Sequence, residues 1–170
     1  MKLFKSSKKN ESITDQISRV LTQEKLNYER LPESENREVI KLGVALHSGN
    51  VDCFVVLNHD KNLVEFLCIS PIKVPENKRM EVAKFFQLIN SISYFGALEL
   101  DFRDGMIRLK TCFIHNVEDF ISDETIKTYL FVGWDMYDRH FPATMKIVYG
   151  QQDADTAFHS LFESINPVLN

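Results

Sequence analysis

The order of apolar and polar positions changes period several times along the chain, and each change marks an element. After Ser12, with Asp15 three residues on, Ile13, Ile17, Val20 and Leu21 recur at helical spacing. This predicts a capped first helix over residues 12–27 with a narrow apolar stripe. Tyr28 to Pro32 reads as a short extended piece and Pro32 to Asn36 as a loop. From Val39 the period falls to two: Ile40, Leu42, Val44 and Leu46 share one face, and His47-Ser48-Gly49-Asn50 supplies a turn. Val51 to Asn58 and Leu63 to Ile69 repeat the pattern across His59-Asp60-Lys61-Asn62, giving three antiparallel strands. Ser70 to Pro75 is expected to be a loop, because its two prolines cannot donate to a ladder.

Residues 76–93 return to helical spacing, and Val82, Phe85, Phe86, Leu88, Ile89 and Ile92 cover an arc of about 160° at 100° per residue. So broad a face is either wholly internal or shared between its own sheet and a second body. On the second reading Phe85, Phe86, Ile89 and Ile92 are candidate contacts with another chain. Next, Asp104-Gly105 suits the positive φ angles of a two-residue type I′ turn. That turn sets Phe102 opposite Ile107, Asp101 opposite Arg108, Leu100 opposite Leu109 and Glu99 opposite Lys110. Apolar residues then face a core, while two opposite-charge pairs face outward, each worth about 0.2–1 kcal/mol.

Ser122, followed by Asp123 and Glu124, opens a long helix whose face carries Ile126, Tyr129, Leu130, Trp134, Tyr137, Phe141, Met145 and Val148. Pro142 removes a helical donor, so a kink or break is expected near residues 138–142. Gly150 suits the end of this helix. Asp153 to Ile165 forms a last short helix with Ala154, Ala157, Phe158, Leu161 and Ile165 as its stripe. The order α-β-β-β-(β)-α-β-β-α-α groups the strands instead of alternating them with helices, which favours an α+β fold built on an antiparallel sheet.

Composition narrows the class without naming a chemistry. With 170 residues, 44% hydrophobic and 26% charged, the chain fits a basic arm over residues 1–11 and one domain over 12–170. Four of the 20 bases (Lys2, Lys5, Lys8, Lys9) precede residue 10 and all 24 acids follow it, which leaves a net charge of −8 on the rest. That sign opposes nucleic-acid binding. No apolar run is long enough to span a bilayer, so a cytoplasmic location is expected. Cys53, Cys68 and Cys112 sit in strand-like apolar segments without a C-x-x-C pair and read as small core residues.

The six glycines are each alone, which speaks against a phosphate-cradling loop, and neither G-x-S-x-G nor H-E-x-x-H occurs. Asp155, His159 and Glu163, spaced four apart on the last helix, are the best metal-like row and support an alternative reading as a metal-binding or hydrolytic domain. The same row is also the ordinary polar face of a terminal helix. No catalytic, cofactor-binding or metal residue is assigned, and no cofactor is expected. The aromatic load says more: among 13 Phe and five Tyr, Phe131 and Tyr149 leave the main stripe of the long helix on the side of Asp135 and Lys146. Aromatics beside a polar rim are what a protein-binding surface uses.

Val74-Pro75-Glu76-Asn77-Lys78-Arg79, then Phe85-Phe86-Gln87-Leu88-Ile89-Asn90 and Gly96-Ala97-Leu98-Glu99-Leu100-Asp101, resemble the YbjN family of bacterial proteins. The family's closing "Y.P.I..V..G" element is matched by Phe141-Pro142-Ala143-Thr144-Met145-Lys146-Ile147-Val148-Tyr149-Gly150, with Phe for the usual Tyr and Met for the aliphatic residue. The resemblance covers about residues 12–162. It implies a fold like that of type III secretion chaperones, a twisted antiparallel sheet packed against helices and usually dimeric. Members are taken to be sensory transduction regulators and have no established catalytic residues to carry over. The expectation is a non-enzymatic, cytoplasmic, homodimeric protein-interaction module, chaperone-like or regulatory, that binds another polypeptide through an apolar surface.

Overall fold

The elements follow one another as α1 (Ile13–Gln23), β1 (Tyr28–Leu31), β2 (Arg37–Leu46), β3 (Gly49–Asn58), β4 (Leu63–Lys73), a 3-10 turn (Glu76–Lys78), α2 (Arg79–Asn90), β5 (Ala97–Leu100), β6 (Met106–Ile114), α3 (Asp123–Val148) and α4 (Ala154–Ile165). This computed structural model describes residues 11–31, 34, 36–115 and 121–165, with side chains as far as 161. The residues 1–10 of the expected arm, and Pro32, Glu33 and Glu35 of the expected loop, lie outside the described residues. The strands form one antiparallel sheet in the order β1-β2-β3-β4-β6-β5. This is the α+β class read from the grouping of strands, with β1 as the optional one.

Alternation in the strands shows which face is covered. Ile40, Leu42, Val51, Cys53, Val55, Leu57, Val64, Phe66, Cys68, Leu98, Ile107 and Leu109 are each at most 5% exposed and share a single core. The helices close it with Ile17, Val20 and Leu21 from α1, Val82, Phe85, Phe86 and Ile89 from α2, Ile126, Leu130, Trp134 and Tyr137 from α3, and Ala154 and Ala157 from α4. Side-chain ties fix the layer: Arg19 of α1 reaches Asp123 at the start of α3 at 2.6 Å. The Ala154 amide at the head of α4 donates to Glu81 of α2 at 2.7 Å.

Several boundaries and one register differ from the sequence reading. The first helix stops at Gln23, because Lys25 enters the left-handed region at φ 57° and the Leu26 amide returns to the Leu21 carbonyl, closing a Schellman motif. The expected loop Ser70 to Pro75 is strand as far as Lys73. There β4 bulges, setting the five residues from Ile69 to Lys73 against only three of β6, Met106 to Arg108, and Pro71 sits in the bulge where no ladder donor is needed. The helix expected over 76–93 begins as the 3-10 turn and ends at Asn90. Pro142 does not divide the long helix, which runs unbroken for 26 residues. Beyond the proline its buried positions are Ala143, Thr144 and Ile147.

The hairpin after α2 is two residues out of the expected register. Leu100 pairs with Ile107, Glu99 with Arg108 and Leu98 with Leu109, so the loop spans Asp101 to Met106 instead of Asp104-Gly105 alone. Asp101 accepts from the Arg103 amide and Asp104 from the Met106 amide, and the Gly105 carbonyl accepts from Val74 at 2.8 Å. These bonds wrap a longer loop onto the end of β4. Phe102 is left half exposed, and Asp101 pairs with Arg103 instead of Arg108.

Candidate interaction surfaces

The sheet has a second face, and among the described residues no helix lies over it. Its rows follow from the register. Leu31, Val39, Val56, Glu65 and Cys112 form one, Lys41, Phe54, Leu67, Lys110 and Ala97 the next, and Gly43, Asp52, Ile69, Arg108 and Glu99 a third. Val39 and Val56 are each 5% exposed yet stand outside the main core. Phe54, Leu67 and Ile69 beside them are only partly covered. Charges border this apolar centre in matched pairs: Lys41 with Asp52 at 3.5 Å, and Glu99 with Arg108 at 3.2 Å and Lys110 at 2.5 Å. Between the β2–β3 hairpin and the β4 bulge lies a cleft of about 600 Å³ lined by Gly43, Ala45, Asn50, Phe54, Ile69 and Pro71. The hairpin is braced from the helical side by Asp138 of α3, whose carboxylate accepts from the His47 and Ser48 amides at 3.1 and 2.6 Å.

The helical layer carries a second concavity, of about 220 Å³, between the segment after α2 and α3. Ile92, Tyr94, Phe95, Val132 and Met136 supply its apolar walls, with Asp135, Arg139 and His140 as polar groups. Tyr94 is 96% exposed. Phe95 stacks edge-on against Tyr129, which touches Phe113, which in turn touches Phe66 of the core. Gly96 presses this segment onto the sheet: at φ 81° a Cβ there would meet Thr111 Cγ2 at 2.8 Å and the Lys110 carbonyl at 3.0 Å. Burial holds His140 below its ordinary value, and its Nδ1 bonds the Met136 carbonyl at 2.7 Å. A carbonyl only accepts, so Nδ1 carries the proton and Nε2 of the neutral ring is an acceptor.

The candidate residues from the sequence divide between the two layers. Phe85, Phe86 and Ile89 are 0–2% exposed inside the single chain, so these three positions of the α2 arc are taken up by its own core. Ile92 lies past the end of the helix at 48% exposure and joins the groove. Phe131 packs edge-on against Trp134 and is partly exposed, whereas Tyr149 stands 68% exposed at the far end of α3. Cys53 and Cys68 are buried with their sulfurs 3.4 Å apart, and the neighbouring thiol and burial push Cys68 up. Cys112, expected in the core, faces the open side of β6 and is exposed.

Asp155 is held by Lys84 at 2.5 Å, and the Glu163 side chain lies outside the described residues. Among the described residues no three His, Cys, Asp or Glu groups lie close enough to share a metal ion. Tyr94 and the cleft around Gly43 were not singled out from the sequence. The signal for Tyr94 was present: two adjacent aromatics, Tyr94-Phe95, between Ser93 and Gly96 in a segment outside any periodic element.

The model of one family, described as "Putative bacterial sensory transduction regulator", matches residues 14–144. The chain belongs to the YbjN family. The matched span runs from α1 into the last third of α3 and includes both surfaces. The fold is similar to the crystal structure of YbjN, "a putative transcription regulator from E. coli", with a TM-score of 0.51 at 16% identity over 81% of this chain and 90% of that one. At that identity the likeness shows the fold alone. No curated protein matches the chain. The YbjN description is that of a regulator and not of an enzyme. Among the described residues no helix is long and apolar enough to cross a membrane.

Proposed function

We propose that this YbjN-family chain is a non-enzymatic, cytoplasmic interaction module that binds another polypeptide, with a chaperone-like or regulatory effect. The observation that carries the reading is the open face of the sheet. Among the described residues the six strands have helices on one side only, and the other side has an apolar centre bordered by paired charges. Apolar rows at the centre of a patch supply affinity, while a polar rim sets register and excludes wrong partners. Phe54, Leu67 and Ile69 are the anchors in this scheme, and the cleft beside Gly43 takes a side chain from the guest.

Selection from a random peptide library tests it. Wild type enriches apolar peptides, and Phe54→Asp weakens their binding at least about 30-fold, the loss of a hot spot of roughly 2 kcal/mol. No enrichment, or peptides whose binding ignores Phe54→Asp, would defeat the reading.

A further inference from the structure

Cys53 of β3 and Cys68 of β4 stand directly opposite each other in the ladder. Backbone bonds at the strand ends fix which kind of pair they form. The His59 amide donates to the Asn36 carbonyl just outside the pair Arg37–Asn58, so that pair makes no bonds of its own, and alternation along the ladder then bonds Cys53 to Leu42. The His115 amide donates to the Asn62 carbonyl just outside Leu63–Ile114, which by the same count bonds Cys68 to Leu109. Each cysteine thus spends its backbone groups on the strand away from the other. The two face each other as the closer, non-bonded type of pair, with Cα atoms about 4.5 Å apart. That spacing lies inside the range of about 4.4–6.8 Å that a disulfide accepts. Their sulfurs are already 3.4 Å apart on the core face of the sheet.

The surroundings suit a small polar oxidant. Both cysteines are buried, out of reach of a bulky reagent. The cleft between the β2–β3 hairpin and the β4 bulge is lined by Val51 and Ser70, the next residues along β3 and β4 on the same face as the pair. Deeper in, the Tyr137 hydroxyl meets no partner in good hydrogen-bond geometry and has Ser70 and both cysteines as polar neighbours, which gives a water-sized guest a foothold. Hydrogen peroxide is of that size. We propose that Cys53 and Cys68 are a reversible oxidation site, which hydrogen peroxide converts to a cross-strand disulfide within one chain. One sulfur attacks the O–O bond and keeps one oxygen as a sulfenic acid, while the other oxygen leaves with the thiol proton as water. The second sulfur then displaces the sulfenic hydroxyl, which takes the second thiol proton and leaves as another water. Two electrons pass from the sulfurs to the peroxide. Contact between the sulfurs makes the second step intramolecular, so it outruns further oxidation to sulfinic acid. Cys112 lies on the opposite face of the sheet, across from Glu65, and takes no part.

Treatment of the folded full chain with hydrogen peroxide tests it, read by peptide mapping, intact mass and a thiol count in denaturant. In wild type a peptide joining Cys53 to Cys68 appears. Cys112→Ser removes the exposed one of the three thiols and leaves the buried pair untouched, so the variant keeps its fold and its urea midpoint. Its thiol count falls from two to none, its mass drops by two hydrogens, and dithiothreitol restores both thiols. Cys53→Ala in the same background has no second sulfur, so it gains oxygen at Cys68 instead of losing hydrogen. The proposal is overturned if both thiols survive peroxide in the folded chain, or if oxygen adds to either sulfur of the pair without a cross-link. A link that forms only in urea, or that joins Cys53 or Cys68 to Cys112, overturns it equally.

Discussion

Asn90, the last residue of α2, closes the free edge of β5 by imitating a strand. Its Nδ2 donates to the Leu98 carbonyl and its Oδ1 accepts from the Leu98 amide, both at 2.9 Å. Leu98 is 5% exposed and pairs with Leu109, so its two backbone groups point away from β6 toward this side chain. Replacing Asn90 with Ala removes both bonds at once. Each is worth about 1 kcal/mol, and a covered amide or carbonyl left unsatisfied adds more, so the loss is about 2–3 kcal/mol. Urea unfolding reads it: with a slope of about 2–3 kcal/mol/M, the midpoint falls by about 1 M. Asn90→Asp keeps the acceptor but loses the donor and sets a carboxylate beside a carbonyl, so it recovers none of the loss. Hydrogen exchange supplies the local readout, because the Leu98 amide is protected in wild type and exchanges freely in Asn90→Ala. A midpoint change below about 0.2 M, or a Leu98 amide unprotected in wild type, would refute the reasoning.

Three further outcomes follow from the same contacts. Gly105→Ala places a Cβ 2.1 Å from the Val74 carbonyl at φ 77°, so it breaks the bond from the Val74 amide. It should cost about 3 kcal/mol in urea unfolding, and a variant as stable as wild type would contradict the loop geometry. Phe85→Glu buries a charge at a site 0% exposed and should melt the fold instead of parting folded copies, with loss of far-UV circular dichroism as the readout. A folded, monomeric Phe85→Glu would show that α2 does face a partner. His140 sits below its ordinary value chiefly through burial, with Arg139 adding to this and the Met136 carbonyl and Asp135 opposing it. Between the unfolded and folded values the unfolded chain binds more protons, so stability falls as pH drops below about 6.5. His140→Gln should show a smaller loss of stability between about pH 7 and 5.5, and equal slopes would exclude this role.

Much of the architecture was legible because periodicity reports burial directly. The inward rows of β2, β3 and β4, the stripe of α1 and the cap at Ser122 all followed from spacing. The hairpin register did not, because a slip of two residues keeps every side chain on its own face, and parity cannot separate the two registers. The contacts that choose are long-range, above all Val74 on Gly105 and Asn90 on Leu98. Pro71 misled for a related reason: a bulge created by pairing with β6 removes the demand for its missing donor. The breadth of the α2 arc gave no means of telling whether two internal bodies or one external partner covered it. The core of a single chain takes Phe85, Phe86 and Ile89, and leaves the surface to Tyr94, which belongs to no periodic element.

Methyl and amide chemical shifts, recorded while a library-selected peptide is titrated into the full chain, test most directly whether the uncovered face of the sheet is the binding surface. The account predicts shifts concentrated at Val39, Phe54, Val56, Leu67 and Ile69, with α2 and α4 silent. Shifts confined to the helical layer, with those five residues unmoved, would contradict it.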